Sequence, residues 1–170
     1  MKQQRRRIDR ILDPSYLGDV KSRSTDELQG MHDECAEVET EVSYVRRLAQ
    51  ARIDILVAEL DRRAAGGSLG SLIDALPRIL ADNGARSGPG SVRMPQQMAP
   101  TMDVEWTRGL EPLVTDATLA NLPALADDDV RSTVERLRTL ETEVSATRRS
   151  LHRVIDALDR ELASRLRVGS

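Results

Sequence analysis

The sequence predicts an all-α fold: a long antiparallel two-helix coiled-coil hairpin with short helical segments in its connection. Three observations predict it. Two stretches of about 40 residues each repeat small or apolar residues every three or four positions, which is the helical period. Aromatic residues make up 2% of the 170 residues, with no Phe, against 31% charged residues. That balance disfavours an ordinary aromatic-rich core and favours long helices packed by Leu, Val and Ala. Finally, the two stretches share an internal repeat near their midpoints, as expected if they are equivalent elements that pair with each other.

Residues 1–23 read as a flexible basic segment. Arg5 to Arg7 with Arg10 form a short charge run of the kind that is usually solvated at a terminus. Ser24 followed by Glu27 is a capping-box signature that opens the first long helix, about 24–65. Its apolar seam runs through Leu28, Met31, Cys35, Val38, Val42, Val45, Ala49, Leu56 and Leu60 and stops at Gly66-Gly67.

The connection, about 66–126, contains Leu69, Leu72, Ile73, Leu76, Ile79 and Leu80, which predict a short amphipathic helix bent or broken near Pro77. Gly84, Gly88, Pro89, Gly90, Pro95 and Pro100 mark a loop over 84–100. Trp106 and the Leu-rich stretch after it, interrupted by Pro112 and Pro123, could cap the hairpin or dock a partner, and capping is the expectation.

Asp127 to Asp129 suit the N-terminus of the second long helix, about 127–167. Its seam is Val130, Val134, Leu137, Leu140, Val144, Leu151, Leu158 and Leu162. At 1.5 Å per residue both helices should be on the order of 60 Å long. The chain is long enough for one domain, so a single coiled-coil domain over 24–168 is expected. The long connection also permits parallel pairing, although the antiparallel hairpin is simpler.

Several function classes are disfavoured. A net charge of −3 carries no global basic signature, so direct DNA binding is not expected. No apolar run approaches the roughly 20 residues of a membrane span. A single Cys35 cannot form an internal disulfide, and no signal peptide is recognisable, so the expected location is cytoplasmic. Gly66-Gly-Ser68-Leu-Gly70 matches the spacing of a nucleophile elbow, but a helix precedes it where that motif needs a strand. Ser68 reads instead as the N-cap of the next helix. His32, Cys35 and Glu39 lack a second ligand cluster and make a poor zinc site. No catalytic apparatus is visible, and the chain is not expected to be an enzyme.

The informative feature is the repeat. Glu39-Thr-Glu-Val-Ser43 recurs 102 residues on as Glu141-Thr-Glu-Val-Ser145. Arg46-Arg47 then aligns with Arg148-Arg149, Gln50 with His152, Ile53-Asp54 with Ile155-Asp156, and Glu59-Leu60 with Glu161-Leu162. The shared polar pattern is Glu-x3-Ser-x2-Arg-x3-Gln/His-x3-Asp. Steps of four, three, four and four place the five side chains of each copy within roughly 80° of arc along about 22 Å of helix. Each stripe borders the apolar seam without filling it. In an antiparallel hairpin the two stripes would converge into one pseudo-two-fold site, which favours a two-fold-symmetric ligand.

A single stripe of this kind is usually a solvated face with intrahelical polar pairs. The repeat changes the weighing. Val45 corresponds to Thr147 and Leu48 to Ser150, so seam and flank positions have drifted while Glu, Ser, Arg and Asp agree in both copies. Polar identity without a packing need points to a ligand. Arg can donate two hydrogen bonds to guanine O6 and N7, Asp or Glu can accept from guanine N1–H and N2–H2, and Ser, Gln, His and Arg can donate to phosphate. Gln50 opposite His152 is the one departure, because imidazole can gain a proton and the amide cannot.

The duplicated pattern closely resembles that of the RsiG family, the cyclic di-GMP-dependent anti-sigma factors of sporulating filamentous actinobacteria, over both long helices. The resemblance implies an antiparallel coiled coil that binds two cyclic di-GMP molecules and, when loaded, sequesters the sporulation sigma factor WhiG. It implies that Arg46, Arg148, Asp54 and Asp156 read guanine. Glu39, Ser43, Gln50, Glu141, Ser145 and His152 would complete the ligand shell. The competing expectation is a structural coiled coil that dimerises or scaffolds other helices with its stripes empty. A weaker one is a nucleotide-degrading enzyme, which the missing metal cluster and base disfavour.

Overall fold

The structure is a computed structural model that describes residues 7–67, 69–85 and 120–168, with backbone alone at 69–71 and 82–85. The described chain is all-α. In order it contains α1 (Arg7–Ile11), a 3-10 turn (Pro14–Leu17), α2 (Thr25–Ala64), α3 (Leu69–Ala85), a second 3-10 turn (Leu122–Ala124) and α4 (Asp127–Val168). The two long helices α2 and α4 pack against each other. Their ends fall within a residue of the expected limits, for reasons visible in the caps.

At the start of α2 the backbone N–H of Ser24 donates to Glu27 Oε2 at 2.7 Å, and the N–H of Glu27 donates to Ser24 Oγ at 3.2 Å. This reciprocal pair satisfies two helix-end donors. At the other end Gly66 adopts φ 68°, a left-handed conformation that costs glycine little. Its N–H reaches Arg63 O at 3.2 Å and that of Gly67 reaches Arg62 O at 2.9 Å, closing a Schellman motif. α4 opens with Asp127, Asp128 and Asp129, whose negative charge suits a helix N-terminus.

The described chain divides into two compact units, each containing part of α2 and part of α4. In the first unit Leu28, Cys35, Val38 and Val42 of α2 are buried, as are Val144, Leu151, Val154, Ile155 and Leu158 of α4. His32 meets Asp159 and Glu39 meets Arg148, so residue numbers rise along one helix as they fall along the other and the pairing is antiparallel. In the second unit Val45, Ala49 and Leu56 are buried, with Val130, Val134, Leu137 and Leu140 of α4 and with Leu72 and Leu122. Gln50 meets Glu141 and Arg63 meets Asp127, again antiparallel. Met31, Leu60 and Leu162, expected in the seam, are half-buried.

Two sequence expectations need correction. The basic N-terminal segment is not a solvated tip from Arg7 onward: Ile8 and Ile11 of α1 are buried in the first unit. Arg7 pairs with Glu37 at 2.8 Å and Glu34 at 3.6 Å, and Arg10 pairs with Glu34. Two isoleucines spaced three apart give even a short basic helix an apolar side to bury, which a reading of its charge alone overlooks. Tyr16 and Cys35 also meet here, the thiol donating to the phenol oxygen at 3.8 Å, and burial pushes both groups' pKa values up.

The connecting helix, expected to be bent or broken near Pro77, is not broken there and runs on through Gly84 to Ala85. Proline removes one N–H from the ladder at a cost of about 3 kcal/mol in a helix interior. Here the apolar side carrying Leu72, buried, and Leu76 and Ile79, half-buried, favours the helix against that cost. The N-cap reading of Ser68, the remainder of the 84–100 loop and the role of Trp106 lie outside the described residues. No helix among the described residues is long and apolar enough to cross a membrane.

Candidate functional site

Most of the repeated polar residues form two clusters, one in each unit, and each cluster draws on both copies of the motif. In the first unit the leading residues of the first copy, Glu39 and Ser43, meet the trailing residues of the second, Arg148 and His152. In the second unit Arg46 and Gln50 of the first copy meet Glu141 of the second. Antiparallel pairing produces this exchange, because the residue that leads one copy lies beside those that trail in the other.

Glu39 is the centre of the first cluster. It is buried, and it accepts from Ser43 Oγ at 2.8 Å, Arg148 Nε at 2.9 Å and His152 Nε2 at 3.0 Å. Arg148 Nε also donates to Ser43 Oγ at 2.9 Å. Burial pushes the Glu39 carboxyl up, but donation from His152, Ser43 and Arg148 outweighs it and holds the group below its ordinary range. With Glu39 ionised, the Nε2 nitrogen of His152 is assigned as the donor.

In the second cluster the arginine stands further from its carboxylate. Gln50 Nε2 donates to Glu141 Oε1 at 3.2 Å, and Arg46 Nη1 lies 4.0 Å from the same oxygen. Asp54 stands half-buried about one helical turn from Gln50, and Ser145, which belongs to the first unit, is half-buried as well. Asp156 is exposed, and among the described residues no hydrogen bond or ion pair joins it to either cluster.

Chemically, each cluster holds an arginine fork, a neutral or protonatable nitrogen donor and a carboxylate on a partly open surface. Such a set can donate to phosphate or to a purine edge and accept from ring N–H groups. Arg148 already engages an anion in this conformation, so an incoming phosphate or guanine would share or replace its bond to Glu39. Among the described residues no group of three His, Cys, Asp or Glu side chains is disposed to hold a metal ion. His32 pairs instead with Asp159 at 3.1 Å.

Sequence reasoning missed a second pair of equivalent arginines, Arg63 and Arg165. In the second unit Arg63 donates to Glu59 at 2.7 Å, to the carbonyls of Leu125 at 2.7 Å and Leu122 at 2.9 Å, and to Asp127 at 2.8 Å. In the first unit Arg165 donates to Glu161 at 2.9 Å and to the carbonyls of Arg23 at 2.7 Å and Val20 at 2.9 Å. Each therefore latches the C-terminal end of one long helix to the chain entering the other. Glu59 is fully buried, and Arg62 and Arg63 together hold its carboxyl down to about 2. The signal was available, since Arg63 and Arg165 keep the offset of the repeat and follow Glu59 and Glu161 by four residues.

The family model described as RsiG-like matches residues 14–80 and 116–170. No curated protein matches the chain.

Proposed function

Because the chain belongs to the RsiG-like family, we propose that it is an anti-sigma factor gated by cyclic di-GMP. Family membership supports the anti-sigma role in general. The ligand and its mode of action form the further part of the reading. The chain binds two cyclic di-GMP molecules through Glu39, Ser43, Arg46, Gln50, Asp54, Glu141, Ser145, Arg148, His152 and Asp156. Once loaded, it sequesters a sporulation sigma factor of the WhiG type in the cytoplasm and represses the transcription that factor directs.

The observation that carries this reading is the crosswise clustering of the repeat. Glu39 with Arg148 and His152, and Glu141 with Arg46 and Gln50, are equivalent sets by sequence and are brought together as equivalent sets in space. A duplicated, symmetric nucleotide with guanine and phosphate functions suits a duplicated set of forks and carboxylates. Both clusters combine α2 with α4, so a ligand held there would stabilise one arrangement of the helix pair. The sigma factor binds that arrangement, and linkage requires the two affinities to strengthen each other by the same factor. The role is regulatory and requires no bond to be made or broken.

Calorimetry with cyclic di-GMP in the presence and absence of the sigma factor tests the reading. The sigma factor should tighten nucleotide binding by the factor with which nucleotide tightens sigma binding. Replacing Arg46 or Arg148 by Ala should cost on the order of 1–3 kcal/mol for each bidentate arginine–guanine pair removed. Sigma binding that is indifferent to the nucleotide would overturn the gating.

A further inference from the structure

Arg153, Arg160 and Arg167 lie on α4 at intervals of seven residues, and all three are exposed. On an α-helix that spacing keeps the three within about 40° of one another and spreads them over about 21 Å. The buried seam residues Leu151 and Leu158 lie about 150° around the helix, so the three arginines form a ridge on its outer side.

Two comparisons within the chain separate this ridge from ordinary surface charge. Exposed Arg131 and Arg138, on the same helix, each hold an acid three residues earlier: Asp128 at 3.0 Å and Glu135 at 2.9 Å. Among the described residues no hydrogen bond or ion pair engages Arg153, Arg160 or Arg167. In the other copy of the repeat, moreover, the equivalent positions are Ala51, Ala58 and Ala65. The motif residues have stayed alike while this face has come to differ by three positive charges. The nucleotide clusters give no reason for that difference, because they use the other side of the stripe.

We propose that Arg153, Arg160 and Arg167 form a docking ridge for an acidic helix of a protein partner, one that carries carboxylates at about seven-residue spacing. The guanidinium fork matches a carboxylate with two parallel hydrogen bonds, and it is less strongly hydrated than an ammonium group. A heptad spacing is the one at which a second helix laid alongside presents successive side chains. Nucleic acid fits the ridge less well. Duplex DNA carries a charge about every 1.7 Å of its axis, far denser than arginines spaced about 10 Å apart, and a chain of net charge −3 gives no long-range attraction to such a polyanion. The proposal rests on the anti-sigma reading in one respect: the sigma factor is the first partner in which to seek the acidic helix.

The test is the triple variant R153A/R160A/R167A, which installs the residues of the other copy and preserves helix propensity. Wild-type and variant chains, both full length and saturated with cyclic di-GMP, are passed over an immobilised WhiG-type sigma factor. The variant should bind roughly 100-fold more weakly, while its affinity for cyclic di-GMP, measured separately, stays unchanged. Equal retention of the two chains would overturn the ridge. If the wild type does not bind the sigma factor at all, that partner assignment fails by itself. The ridge is then decided by titrating a helical peptide with glutamate at every seventh position while following the arginine Nε–H resonances. Movement of the three ridge resonances upholds it. Unmoved resonances, or movement by a DNA duplex and not by the peptide, would overturn it.

Discussion

The two polar clusters derive from the same sequence pattern, yet their arginines stand at different distances from the carboxylates. Around Glu39 the arginine is in direct contact at 2.9 Å, the imidazole at 3.0 Å and the hydroxyl at 2.8 Å. Around Glu141 the arginine stands at 4.0 Å and the amide at 3.2 Å. The Glu39 side chain is 11% exposed and that of Glu141 24%. Duplication has preserved the residue types, and local packing has set how strongly each carboxylate draws its donors. The more enclosed carboxylate has the shorter distance to arginine, as expected where less water competes for the charges.

The largest effect expected from this difference is an unequal response to arginine removal. Arg148→Ala strips the charged partner from a buried carboxylate and should destabilise the fold by about 3 kcal/mol. Arg46→Ala removes a longer pair to a more exposed carboxylate and should cost about 1 kcal/mol. Urea denaturation of the two variants would measure both, and equal losses would remove the distinction between the clusters. Glu59→Gln should cost about 2 kcal/mol, because it withdraws the charged acceptor from the Arg62 and Arg63 latch. If that latch sets register in its unit, the variant should also weaken cyclic di-GMP binding although Glu59 lies outside the motif.

The pH dependence separates the clusters further. The folded state holds the Glu39 carboxyl below its ordinary range. Its stabilising contribution is therefore complete above that range and is lost as pH falls through the lowered value. A Glu39→Gln chain should show a shallower acid limb in melting temperature against pH than the wild type. Parallel limbs would contradict the role given to the cluster. The smallest effect is expected from exchanging the one position of the five-residue motif that differs between the copies: His152→Gln should cost about 0.5 kcal/mol. The variant should bring the pairing around Glu39 closer to that around Glu141, as read from chemical shifts of the arginine side chains.

Much of this architecture was legible in the chain because its signals are periodic. The seams through Val38, Val42 and Val45 and through Val134, Leu137 and Leu140 are written at helical spacing, and Ser24, Glu27, Gly66 and Gly67 mark the helix ends by known cap chemistry. The motif was legible as a repeat. Its division was not, since only antiparallel pairing reveals that Glu39 meets Arg148 and His152 rather than members of its own copy beyond Ser43. The docking of α1 was hidden behind its arginines, and Pro77 was over-weighted because a propensity argument does not see the apolar side that Leu72 buries. The carbonyls held by Arg63 and Arg165 are backbone groups of distant segments, which side-chain patterns do not announce.

The central claim is that the duplicated motif is a receptor for guanine dinucleotide. Calorimetric titration of the purified chain with cyclic di-GMP, and separately with cyclic di-AMP, tests it most directly. The account predicts saturable binding of two cyclic di-GMP molecules per chain, weakened in both R46A and R148A, with no comparable binding of cyclic di-AMP. Absence of cyclic di-GMP binding, or equal affinity for the two dinucleotides, would contradict it.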